Sequence, residues 1–94
     1  MERYEIGSFV FSKAGHDKGN IYIILTKSDD KIAVADGKLK TVEKPKLKNL
    51  KHVGWINYCD KALKEKLEKG EKVINEDIKY AIKCYKHTQI MEEL

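Results

Sequence analysis

Alternation of apolar and polar positions organises the first half of the chain. Ser8 to Ser12 predicts a short strand with Phe9 and Phe11 on one face and Val10 on the other. Gly19 to Lys27 predicts a longer one, in which Ile21, Ile23 and Leu25 alternate with Tyr22, Ile24 and Thr26. Ser28 to Lys31 reads as a polar turn, and Lys31 to Ala35 as a third strand with Ile32 and Val34 on one face. Asp36-Gly37 has the composition of a two-residue hairpin turn, because both residues tolerate positive φ. A fourth strand is therefore expected over Leu39 to Glu43. Pro45 offers no N–H to a ladder, so that strand should stop there. Lys46 to Lys51 is too charged for a central strand, and its alternation with Leu47 and Leu50 predicts an extended or single-turn segment resting on the barrel rim. His52 to Ile56 predicts the closing strand.

The period changes after Trp55. Cys59, Leu63 and Leu67 recur at helical spacing, joined by Ala62, and predict a helix over Tyr58 to Lys69. Asp60 with Lys64 and Glu65 with Lys69 form i,i+4 pairs in the favourable order, and Gly70 supplies a stop. Asn75 is placed to cap a second helix, with Glu76 and Asp77 at its positive end. Ile78, Ala81, Ile82 and Tyr85 then make one apolar stripe. Short strands followed by two helices predict a mainly β chain: a small barrel over residues 1–57, then a helical hairpin appendage over 58–94.

Composition narrows the function classes. A chain of 94 residues suits one domain and a modest core. No apolar run approaches the ~20 residues of a membrane span, and Met1 to Glu5 shows no basic-then-apolar leader. Cys59 and Cys84 lack metal-ligand spacing and read as reduced thiols, so a cytoplasmic setting is expected. His16, His52 and His87 form neither a ligand pair nor a triad, and no nucleotide-binding or nucleophile-elbow motif occurs. No catalytic residue, metal or cofactor is expected.

Charge is unevenly placed. The chain carries a net +4, yet residues 1–37 hold five basic against six acidic side chains, and residues 53–94 hold eight of each. The excess sits in Lys38, Lys40, Lys44, Lys46, Lys48 and Lys51, opposed only by Glu43. Such a footprint suits a phosphate backbone, because each neutralised phosphate releases condensed counterions. The balanced helices are expected to serve stability or partner binding.

A second polar feature joins the first two strands. The loop Lys13-Ala14-Gly15-His16-Asp17-Lys18-Gly19 carries two glycines four apart, and between them a His, an Asp and a Lys. Gly15 and Gly19 fit backbone conformations that a Cβ disfavours.

With Gly7, Val10 and the β-branched run from Ile21, this loop resembles the KOW motif of SH3-like barrels. Ser12-Lys13-Ala14-Gly15, Asp17-Lys18-Gly19, Val34-Ala35-Asp36-Gly37 and the run from Lys44 to His52 are similar to two groups. One is the KOW-type domain of archaeal and eukaryotic large-subunit ribosomal protein fourteen; the other is small bacterial KOW-domain RNA-binding proteins. The resemblance spans residues 5–56. His16 stands where such loops often carry an arginine, so the charge there depends on pH.

The resemblance implies a KOW-type SH3-like barrel that binds RNA, ribosomal RNA foremost, with the ribosome as a possible partner. Its contacts would come from the loop residues Lys13, His16, Asp17 and Lys18 and from His52, together with the six lysines from Lys38 to Lys51. It also implies that Val10 faces the core, leaving Phe9 or Phe11 partly exposed. Trp55 reads as a plug between barrel and helices, or else as a base-stacking platform. The alternative is a protein-interaction module of SH3-like type acting in translation or transcription. Its site would be the stripe Ile78, Ala81, Ile82 and Tyr85, or an exposed Phe9/Phe11 face.

Overall fold

Strand β1 (Phe9–Ser12) lies between β2 (Ile21–Ser28) and β5 (Val53–Ile56), and all its ladders are antiparallel. In the computed structural model, which describes residues 4–93, β3 (Lys31–Ala35) and β4 (Lys46–Asn49) extend the sheet beyond β2. The order is β4-β3-β2-β1-β5. Helices α1 (Lys61–Glu68) and α2 (Asn75–Glu93) follow.

Pairing explains why the middle strands are apolar on both faces. Val10 opposes Tyr22, and Ile24 opposes Val34. With Ile32 and Val53 they form one buried cluster, against which Tyr4 and Leu50 pack. The alternate positions Phe9, Ile23 and Ile56 face the other way and join Leu63, Ile78, Ala81 and Ile82 in a second cluster. Phe9 stacks edge-on to Tyr58, their centroids 5.1 Å apart. Val10 therefore does face a core, but so does Phe9, and only Phe11 is left partly exposed.

The chain is mixed α/β, where the periodicity predicts a mainly β barrel with an appendage. The sheet is not closed by a ladder, since β4 and β5 are its two edges. The helices cover the part of one sheet face that carries Phe9, Ile23 and Ile56, which would otherwise stand in water.

One local expectation needs correction. No strand forms over Leu39 to Glu43. Instead the Asp36 carboxylate accepts from the N–H groups of Lys38 and Lys40, both at 2.9 Å, and makes a side-chain turn where a partner strand was expected. The segment from Lys46 is extended and not central, as expected: it is the edge strand β4, followed by a 3-10 turn at Leu50–His52. Edge strands tolerate lysines that a central strand would not. Leu47 stands in solvent at 71% exposure, and Leu50 packs against the Val10–Tyr22 cluster.

The helix ends are also redrawn. Asp60 caps α1, accepting from Leu63 N–H at 3.1 Å, and Lys64 pairs with Glu5 instead. Gly70, at φ 72°, ends α1 as expected; the Glu71 N–H returns to the Lys66 carbonyl at 2.9 Å. Asn75 is the first residue of α2, not its cap. Its side chain accepts from Val42 N–H at 2.8 Å and donates to Glu43 at 2.9 Å, tying the long β3–β4 connection to the helix. Asp77 reaches back to the Ile74 N–H at 3.1 Å.

Candidate functional site

The loop between β1 and β2 is built around its own acid. Gly15 and Gly19 have φ of 86° and 91°, and the Gly19 N–H donates to the Ser12 carbonyl at 2.8 Å. This closes the loop so that Asp17 points back across the sheet. Its carboxylate accepts from the Tyr22 hydroxyl at 2.8 Å and from the Ser12 hydroxyl at 2.9 Å. Lys46 and Lys48 complete the set from β4, their Nζ atoms at 3.0 Å and 3.2 Å.

Register makes this possible. Lys46 pairs with Val34 and Lys48 with Ile32, so both lysines share the face that carries the Val10–Tyr22 cluster. Lys48 also donates to Ser12 Oγ at 3.1 Å, although β4 and β1 are not neighbours in the sheet. Side chains thus span the open side of the curved sheet where no ladder does. Burial disfavours the charged form of Asp17, but hydrogen bonds from Tyr22, Lys46, Ser12 and Lys48 outweigh it and hold the carboxyl well below its usual range. Burial and the Asp17 hydrogen bond push the Tyr22 phenol up to about 12.

The candidate residues fall into distinct places. Lys13, His16 and Lys18 are exposed on the loop. Lys51 and His52 are exposed on the 3-10 turn, and the Lys13 N–H donates to the His52 carbonyl at 2.8 Å, joining turn to loop. Lys46 and Lys48 lie beside them but are engaged by Asp17; the Lys48 side chain is only 8% exposed. Lys40 and Lys44 belong to the long β3–β4 connection, and Lys38 turns towards α2. The six lysines are therefore contiguous in sequence but not in space.

Lys38 meets partners that the sequence reading passed over. With Asp36 it lines a cleft of about 530 Å³ whose other wall is Lys79, Lys83 and Lys86 of α2, with Gly19, Asn20 and Ile21 at its edge. Net charge over residues 53–94 concealed this, because the acids of α2 (Glu76, Asp77, Glu92 and Glu93) stand at its two ends while Lys79, Lys83 and Lys86 stand between them. The spacing of 79, 83 and 86 was the available signal.

A second cleft of about 450 Å³ adjoins the first across Gly19 and Ile21. Phe11, Trp55, Ile56, Asn57, Tyr85 and Gln89 complete it. Trp55 is half-buried at this mouth. Of the stripe, Ile78, Ala81 and Ile82 are buried and Tyr85 is half-buried; of the Phe9/Phe11 pair, Phe9 is buried and Phe11 is exposed.

Among the described residues no group of His, Cys, Asp and Glu is arranged to hold a metal ion, and no helix is long and apolar enough to cross a membrane. Cys59 and Cys84 are free thiols. Compared with known proteins, the chain matches no family model and no curated sequence.

Proposed function

We propose that this chain is an RNA-binding protein of KOW type that recognises structured RNA, ribosomal RNA foremost, by charge and shape in the cytoplasm. The observation that carries the reading is the joining of the β1–β2 loop to β4 through Asp17. It sets Lys46 and Lys48 against the loop that carries Lys13, His16 and Lys18, and the bond from Lys13 N–H to the His52 carbonyl adds the turn that carries Lys51 and His52. Phosphate contacts of this kind set position without reading sequence. The strand order supports an SH3-like ancestry: the last strand folds back beside the first, and Lys46 and Lys48 bridge the side that a closed barrel would seal.

Titration of a paired RNA hairpin at several salt concentrations tests the proposal. Changing Lys13, Lys18 and Lys51 together to Gln should flatten the slope of log affinity against log salt by roughly two to three units, at ~0.7 to ~0.9 per phosphate contact. An unchanged slope would leave these lysines as a solvated face.

One observation favours the alternative of a protein-interaction module. β4 has an unpaired edge and presents Leu47 to solvent, so an extended partner segment could add to it. Binding by that route would survive high salt.

A further inference from the structure

The two adjoining clefts differ in chemistry, and together they match one kind of ligand. Lys38, Lys79, Lys83 and Lys86 converge on the first. Asp36 is the acid in its wall, and its carboxylate already accepts from the Lys38 and Lys40 N–H groups. Lys79 reaches Glu76 at 3.9 Å, whereas no ion pair among the described residues engages Lys38, Lys83 or Lys86. Three cations thus face a cleft with no acid assigned to them. The second cleft is aromatic, with Phe11 38% exposed beside Trp55 and Tyr85. Gly54, the β5 partner of Phe11, lies under the outer edge of the Phe11 ring, where a Cβ would come within 2.2 Å of it. Only Gly19 and Ile21 separate the clefts, and Gly19 has open space above it.

We infer that this groove, running over Gly19 between the sheet and α2, holds an unpaired RNA strand, its phosphates on Lys38, Lys83 and Lys86 and a base on Phe11 and Trp55. The inference rests on the RNA-binding reading and extends it to a second surface with a different preference. A cationic track beside aromatic platforms is what single strands require: the lysines follow the backbone, and an aromatic face accepts any base. A rigid duplex keeps its bases stacked and presents none to the aromatic cleft. Helix α2 then both covers the sheet, through Ile78, Ala81 and Ile82, and supplies one wall of the groove.

Trp55 is the chain's single tryptophan, so its emission reports on this groove alone. The full chain is titrated with an oligouridylate of about ten nucleotides, within the usual site size for such grooves, and separately with a fully paired RNA hairpin. The oligouridylate should quench Trp55. Replacing Lys38, Lys83 and Lys86 by Gln should flatten its salt slope by about two units, at ~0.7 per contact on a single strand, and leave the hairpin slope nearly unchanged. Phe11→Ala should weaken oligouridylate binding roughly five- to hundredfold. The lysines are exposed, so the triple variant keeps its fold and decides the matter even where Phe11→Ala unfolds the chain. Unchanged Trp55 emission at saturation, or a wild-type slope in the lysine variant, overturns the groove; hairpin binding that persists then leaves the RNA-binding reading standing. Failure of the wild type to bind either RNA overturns both.

Discussion

Lys48 and Asp17 meet at 3.2 Å across the open side of the sheet, each side chain nearly enclosed, at 8% and 12% exposure. One belongs to an edge strand and the other to a glycine-bounded loop 31 residues earlier. Their contact is therefore a tertiary fastening between two segments that no backbone ladder joins. It also removes a lysine from solvent that the charge pattern assigns to phosphate binding.

Loss of this carboxylate should loosen the fold. Asp17→Asn leaves Lys48 short of a counter-charge and Tyr22 with a weaker acceptor, and should cost about 2–3 kcal/mol. Because Asp17 titrates below its unfolded value, its stabilisation is complete above the unfolded carboxylate range and is lost as pH falls through its folded value. Urea melts of wild type and Asp17→Asn should therefore converge towards strong acid. Equal midpoints at pH 7 would refute the fastening.

Tyr22 makes the mirror-image prediction on the alkaline side. Its phenol is raised to about 12, so its contribution is whole below the unfolded value and falls as pH rises towards 12. Tyr22→Phe should cost about 1–2 kcal/mol at pH 7 and lose less further stability between pH 9 and 11 than wild type does. Chemical denaturation across that range checks the sign.

Two glycines with similar dihedrals should respond differently to alanine. Gly19 has φ 91° and open space around it, so Gly19→Ala should cost about 1–2 kcal/mol for the backbone alone. Gly37 has φ 81°, and a Cβ there would come within 2.5 Å of the Asn75 carbonyl oxygen. Gly37→Ala should add a further ~1–3 kcal/mol of overpacking and loosen α2 from the β3–β4 connection. Thermal melts of the two variants should rank accordingly; equal losses would contradict the close approach.

The helices should prove necessary to the fold. A chain ending at residue 57 uncovers Phe9, Ile23 and Ile56 on one sheet face. It should lose cooperative unfolding and bind a hydrophobic dye. A sharp melt from residues 1–57 alone would show that the sheet needs no cover.

Much of the architecture was legible in local pattern. The alternation around Ile23 marks β2, the Val10 and Ile32 positions mark its neighbours, and the helical period of Ile78, Ala81, Ile82 and Tyr85 marks α2. These signals are local because side-chain direction follows the backbone period within a single element. Gly15, Gly19 and Gly70 were readable for a similar reason: positive φ is a property of one residue. Other features depend on residues far apart in the chain. Lys46 to Asn49 looks too charged for a central strand, and that it lies at the sheet edge with two lysines sharing Asp17 of a distant loop is not in the local pattern. The strand expected after Gly37 is lost to the Asp36 carboxylate, and Asn75 leaves its expected cap to hold Val42 and Glu43. Phe9 and Val10 both find cores only because the helices return to cover the second face. The sequence by itself determined β1, β2, β3, β5 and the two helices, and the glycines where the chain can bend. Tertiary structure alone decided which charges meet, since a lysine's partner depends on separations in space that a linear count of charges does not contain.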